Sequence, residues 1–263
     1  MKFVILNPGP VAEGLFERYL GERGYSWRRE PADLGTKKRP DYLVDADGRS
    51  VVCEVKALNT AGVLAAARGE GPFIGARNMK ELVAPLREDI KSAAAQLKDL
   101  QDRDWPLVVV LSNPFGFLVP TDPKSVMAAM YGDFELGASQ LEDGSLGEFS
   151  LVAGRNGRLT THHAYLSAVA MLRVSPLARA WSDQWIAEHR AQYEDASTLT
   201  AALLRAARVD APLGEVLSLD VIETVSPTAT PLPRDIFNGP GDRRFVANDE
   251  GSGFIQLSEP GGR

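Results

Sequence analysis

A single cysteine, Cys53, stands among 263 residues. One thiol excludes an internal disulfide framework and a cysteine-based zinc cluster, and it fits a reducing compartment. Histidine is almost as scarce, with His162, His163 and His189 the whole complement. Neighbours on a strand face opposite ways, so His162 and His163 do not readily share a metal, and a histidine-rich metal site is not expected. No apolar run approaches the roughly 20 residues of a membrane-spanning helix. The opening MKFVILNPGP has too short an apolar run for a signal peptide and no small-residue cleavage pattern, so a cytoplasmic location is expected. Positive charge is in deficit: 29 Lys and Arg stand against 35 Asp and Glu, a net charge of −6. That balance argues against a broad, non-specific grip on nucleic acid, which depends on neutralising phosphates. There is no GxxxxGK phosphate loop, no Gly-x-Ser-x-Gly elbow and no internal repeat.

What the chain does have is an ordinary apolar content of 44%, enough for a real core, and 24% charged residues. Its most informative stretch runs from Lys37 to Leu58, KKRPDYLVDADGRSVVCEVKAL. The pattern predicts two strands joined by a tight turn at Asp45-Ala46-Asp47-Gly48, where Asp and Gly tolerate hairpin backbone angles. Val51, Cys53 and Val55 alternate with Val52, Glu54 and Lys56. Side chains two apart on a strand share a face at about 7 Å, so Glu54 and Lys56 project together. On the partner strand Asp41 shares a face with Leu43 and Asp45. Where the two polar faces meet, two carboxylates and an ammonium converge. Hard oxygen ligands with open positions suit Mg²⁺, with Mn²⁺ as a substitute. A neighbouring lysine orients the attacking water or stabilises developing phosphate charge.

Pro40-Asp41 followed by Glu54-Val55-Lys56 resembles the signature of the PD-(D/E)xK phosphodiesterase superfamily, with thirteen positions between Asp41 and Glu54. The pattern Glu13-x-x-Phe16-x-x-Tyr19-Leu20-x-x-x-Gly24-Tyr25 is similar to the first helix of its Holliday-junction-resolvase-like members. The resemblance covers about the first 112 residues. It implies an α/β fold with a restriction-endonuclease-like core: a central mixed four-stranded sheet flanked by helices in αβββαβ order. It implies metal ligation by Asp41, Glu54 and the Val55 carbonyl. Glu13, with Glu17 as second choice, completes the shell, and Lys56 assists catalysis. Gln96 is the helix residue expected to point at the site, ahead of Lys91 and Lys98. The implied activity is Mg²⁺-dependent hydrolysis of nucleic acid, most simply by a DNA endonuclease. The alternative is a nuclease-fold protein that does not cleave, or that a partner activates, serving as a recognition module. Arg28-Arg29 and Lys37-Lys38-Arg39 flank the site, either as phosphate contacts or as a solvated edge that blunts a strand.

Along the chain, helices are expected over Pro8 to Gly24, Pro85 to Gln101, Asp122 to Tyr131 and Leu199 to Ala207, with a long one starting at Ser175-Pro176 as cap and first residue. Strands are expected over Tyr25 to Glu30, Leu107 to Leu111 and Val216 to Val225, and a hairpin over Phe149 to Ala153 and Arg158 to Thr161. Asn59 to Lys80 is predicted as an insertion beside the site. Arg77 and Lys80 are its candidate phosphate contacts. Trp181, Trp185 and His189 form a stripe suited to a core or dimer contact. From Ser226 the Pro- and Gly-rich chain is expected to wrap the surface. Residues 1–135 form the expected core. Residues 136–263 form an α+β elaboration packed on it, available for substrate recognition, a protein partner or a homodimer.

Overall fold

Alternating apolar residues over 42–57 build a strand pair, and the rest of the chain widens it into a sheet. The computed structural model describes residues 7–46, 48–58, 79–116, 119–132, 134–140, 145–153, 162–247 and 254–257. In chain order the main elements are α1 (Pro8–Glu22), β1 (Ser26–Arg29), β2 (Tyr42–Ala46), β3 (Arg49–Ala57), a short α2 (Met79–Leu82), α3 (Ala84–Leu97), β4 (Leu107–Ser112), α4 (Pro123–Tyr131), β5 (Phe134–Gln140), β6 (Leu146–Ala153), β7 (Ala168–Pro176), α5 (Leu177–His189), α6 (Ala196–Asp210), β8 (Glu215–Glu223), β9 (Arg243–Ala247) and β10 (Phe254–Leu257). Eight strands form one mixed sheet in the order β1-β2-β3-β4-β7-β8-β9-β10, and β5 pairs with β6 apart from it. β2 runs antiparallel to β1 and β3, whereas β3, β4 and β7 are parallel. The fold is therefore α/β with an eight-stranded mixed sheet flanked by helices, wider than the four strands expected.

Register pairs Tyr42 with Cys53 and Leu43 with Val52. Alternation sends Tyr42, Val44, Val51, Cys53 and Val55 to one face and Leu43, Val52, Glu54 and Lys56 to the other. α1 covers the first face, where Phe16 meets Tyr42 edge-on with ring centroids 5.4 Å apart. α3 covers the second, where Leu86, Ile90, Ala93 and Leu97 join Leu43, Val52, Val109 and Leu111 in one buried cluster. Each of the Leu, Ile and Val side chains contributes roughly 1.5–3 kcal/mol through burial. Asn7 caps α1 by accepting the Gly9 N–H, and prolines at its start lack only donors the helix leaves unused. β4 is buried along its whole length, as its continuous apolar run predicts for a strand with parallel neighbours on both sides. Gly48 takes φ +79°, the left-handed angle the hairpin turn requires.

The compact units are Met1–Leu172 with Leu219–Arg263, and Arg173–Ser218. The sequence division at 135/136 falls at neither boundary. Two expectations are corrected, on the helix start near Ser175 and on the segment after Ser226. Ser175 and Pro176 close β7, and the helix starts at Leu177 with Pro176 as its cap. β6 pairs antiparallel with β5; segment 158–161, the other arm of the hairpin expected with 149–153, lies outside the described residues. The segment after Ser226 does not merely wrap the surface. Ile236 and Phe237 are fully buried, and β9 and β10 extend the sheet. Phe237 adopts φ +56° and packs its ring against Phe16, Tyr19 and Tyr25. Within Arg173–Ser218, Trp185 stacks on His189 at 4.2 Å, and Leu199 is buried. Among the described residues no helix is long and apolar enough to cross a membrane.

Candidate active site

Asp41 precedes β2 and stands opposite Glu54, one step beyond the Tyr42–Cys53 pair. Alternation therefore places both carboxyls on the α3 side of the sheet. The Asp41 N–H donates to Glu54 Oε2 at 3.3 Å, and the Val55 N–H donates to Asp41 Oδ2 at 2.8 Å. Lys56 Nζ donates to Glu54 Oε1 at 2.7 Å. The Glu54 side chain is 1% exposed and the Lys56 side chain 22%, so the ammonium sits between a buried acid and solvent. A strand residue's N–H and C=O point to the same edge, so the Val55 carbonyl is directed toward the Asp41 side.

Burial first, then the charge of Asp41, pushes the Glu54 carboxyl up to about 7, with Lys56 opposing. Burial likewise raises Asp41, against the Val55 N–H bond and the charges of Lys56 and Arg29. Two neighbouring acids that both resist ionisation are relieved by a divalent cation. Among the described residues no group of three His, Cys, Asp or Glu side chains forms a ready metal cage. Asp41, Glu54 and the Val55 carbonyl are the groups that could hold an ion such as Mg²⁺, which takes one or two carboxylates and fills its shell with water and substrate oxygen.

The raised Glu54 value carries a stability consequence. The folded state holds a proton on Glu54 that the unfolded chain releases above about 4.5, so stability falls as pH rises from there to about 7. A neutral Glu54→Gln removes that fall. Urea unfolding at pH 8 is expected to show the variant more stable by roughly 1–3 kcal/mol, with the difference gone at pH 4. A less stable Glu54→Gln at pH 8 would contradict the buried-acid account.

Glu13 lies under the opposite face of the sheet. Arg29 forms an ion pair with it, and Glu17 accepts from Arg29 Nη1 at 3.4 Å and from the Tyr42 hydroxyl at 2.9 Å. Glu13 is thus engaged by Arg29 rather than gathered with Asp41 and Glu54. Arg29 links the two groups, because its charge also acts on Asp41. Gln96 is half-buried near the C-terminus of α3 and has no hydrogen-bond partner among the described residues. The parallel pairing of β3 and β4 explains its position. α3 must return the chain from the Lys56 end of β3 to the Leu107 end of β4, where Val52 pairs with Leu107. Its first half therefore lies nearer the acid pair. Asp89, seven residues before Gln96 and so about 10 Å nearer that end, is the helix residue on whose carboxyl the charge of Lys56 acts, against burial. Sequence inspection passed over Asp89, and the direction of the crossover was the signal that would have found it.

Lys37, Lys38 and Arg39 are exposed immediately before the buried Pro40, and among the described residues their side chains form no ion pair. Lys80 is exposed, and Arg77 lies outside the described residues. Comparison with protein-family models, curated proteins and solved structures gives no match.

Proposed function

We propose that this chain is a metal-dependent nuclease with a PD-(D/E)xK site, acting on DNA as an endonuclease. One observation carries the reading: Asp41 and Glu54 face each other at a strand end, and Lys56, two residues on, reaches Glu54 at 2.7 Å. Supporting it, the first part of the chain runs helix, three strands, helix, strand, with β1 to β4 adjacent in the sheet. Asp41, Glu54 and the Val55 carbonyl would hold Mg²⁺. The bound ion would lower the pKa of a water and neutralise phosphate charge. Lys56, its side chain partly exposed, would orient an attacking water or meet the charge developing on the phosphate. Lys37, Lys38 and Arg39 supply positive charge for the backbone on an otherwise acidic protein.

A partner-activated form of the same enzyme is the second reading. It is favoured by the closed ion pairs, with Glu54 held by Lys56 and Glu13 by Arg29. The test is cleavage of supercoiled plasmid, linear duplex and single-stranded DNA with Mg²⁺ or Mn²⁺. Cutting that needs the metal and is lost in Lys56→Ala supports the enzyme. Metal binding without cutting favours the partner-activated form, and no metal binding rejects both.

A further inference from the structure

Two basic runs flank the acid pair, and the sheet tells them apart. Arg28 and Arg29 lie on β1, the outermost strand, where charge guards an open edge. Arg28 pairs with Asp33 at 2.8 Å, and Arg29 pairs with Glu13 and Glu17. Lys37, Lys38 and Arg39 instead lead into β2, which has β1 on one side and β3 on the other. An inner strand presents no edge to guard, yet all three side chains are exposed.

The loop that carries them, residues 30–40, is fastened along its length. At its neck the Glu30 N–H donates to the Asp41 carbonyl at 2.9 Å, and Glu30 takes φ +42°. That left-handed angle in a residue other than glycine persists only where the surroundings hold it, and it recurs at ligand clamps. Leu34 is buried in the cluster beneath α3. Arg103, its guanidinium 5.3 Å from the centre of the Trp105 ring, donates to the Leu34 carbonyl at 2.9 Å. Asp99 accepts the Lys37 N–H at 3.3 Å. From Lys37 to Asp41 is four residues, at most about 14 Å of extended chain. One strand of a duplex carries a phosphate per about 3.4 Å of axis, so such a span meets about four. A loop already ordered gives up little entropy when it binds.

We propose that this loop is a preformed clamp for the phosphate backbone of nucleic acid, with Lys37, Lys38 and Arg39 as its contacts and Arg103 as the residue that positions it. What the clamp delivers to the acid pair rests on the nuclease reading above; its grip on the backbone does not.

The test is fluorescence anisotropy of a labelled DNA duplex in Ca²⁺ in place of Mg²⁺, from about 50 to 200 mM salt. The triple variant Lys37→Gln/Lys38→Gln/Arg39→Gln is expected to flatten the slope of log affinity against log salt by about 2.7, three phosphates at about 0.9 each, and to bind at least about tenfold more weakly at the lower salt. Arg103→Ala frees the loop but keeps its three cations. It is expected to weaken binding about three- to tenfold with the slope unchanged, and Arg103→Lys to recover part of the loss. Arg179→Gln/Arg205→Gln/Arg208→Gln removes three exposed cations elsewhere and is expected to change neither quantity. A slope change below about 1 in the first triple variant, an equal change in the second, or wild-type affinity in Arg103→Ala would overturn the proposal, as would a wild type that does not bind. Cleavage in Mg²⁺ separates the two readings. A wild type that binds with the expected slope but does not cut loses the nuclease and keeps the clamp. A wild type that cuts, with KM for DNA unchanged in the Lys37/Lys38/Arg39 variant, loses the clamp and keeps the nuclease.

Discussion

Asp41→Ala is expected to lower DNA cleavage by at least about 10³-fold while the protein stays folded. The residue holds one of the two facing carboxyls, and among the described residues no third acid is gathered with them to take its place. Its structural part is small: Oδ2 accepts the Val55 N–H at 2.8 Å, and loss of that bond costs about 1–2 kcal/mol. Part of that cost is offset, because burial already opposes the Asp41 charge. Glu54→Gln and Lys56→Ala are expected to give losses of similar size. The double variant should be little worse than either single one, since groups that act as a unit do not add. Single-turnover cleavage of supercoiled plasmid measures the rate, and near-ultraviolet circular dichroism checks the fold. A folded Asp41→Ala that cuts as fast as wild type would sink the assignment.

Asp242→Ala is expected to be the most damaging single change to stability, at about 3–5 kcal/mol. The residue is 3% exposed. Its oxygens accept from the Tyr19 hydroxyl at 2.8 Å and from the Leu219 and Gly239 N–H groups at 2.7 Å each, with Arg23 at 3.8 Å. Removing the carboxylate strands two buried donors, the Tyr19 hydroxyl and the Leu219 N–H, each at about 1–3 kcal/mol, and the part-buried Gly239 N–H at less. Burial raises the Asp242 carboxyl, so the charge itself is held at a cost, and that cost is returned on substitution. The donors outweigh it. Asp242→Asn keeps one acceptor oxygen and should lie midway. Urea unfolding at pH 7 measures both, and a loss below 1 kcal/mol in Asp242→Ala would show that the network is dispensable.

The hairpin and its acid pair were legible in the sequence because period-two alternation and an Asp-Gly turn permit one register only. β4 was legible from its unbroken apolar run, and α1 from its apolar stripe. β7 was not, because Ala168 to Val174 mixes Ala, Met and Leu without a period, and Ser175-Pro176 at its end imitates a helix start. β9 and β10 were hidden for another reason. They follow a Pro- and Gly-rich segment, and their place is set by Phe237 and Asp242 reaching α1, a long-range packing effect that no local pattern encodes. At the site, residue types and spacing placed Glu13 and Gln96 on the correct helices. Sequence distance carries no information on which sheet face α1 covers, or on which end of α3 meets Lys56.

The bond between Tyr19 and Asp242 joins residues 223 positions apart. At about 5–20 residues per second, the ribosome delivers the second partner roughly 10–45 s after the first. Through that interval Phe16, Tyr19 and Tyr25 lack the Phe237 ring that covers them. The nascent amino-terminal half therefore leaves the ribosome before the Phe237 ring that covers these aromatics has been made.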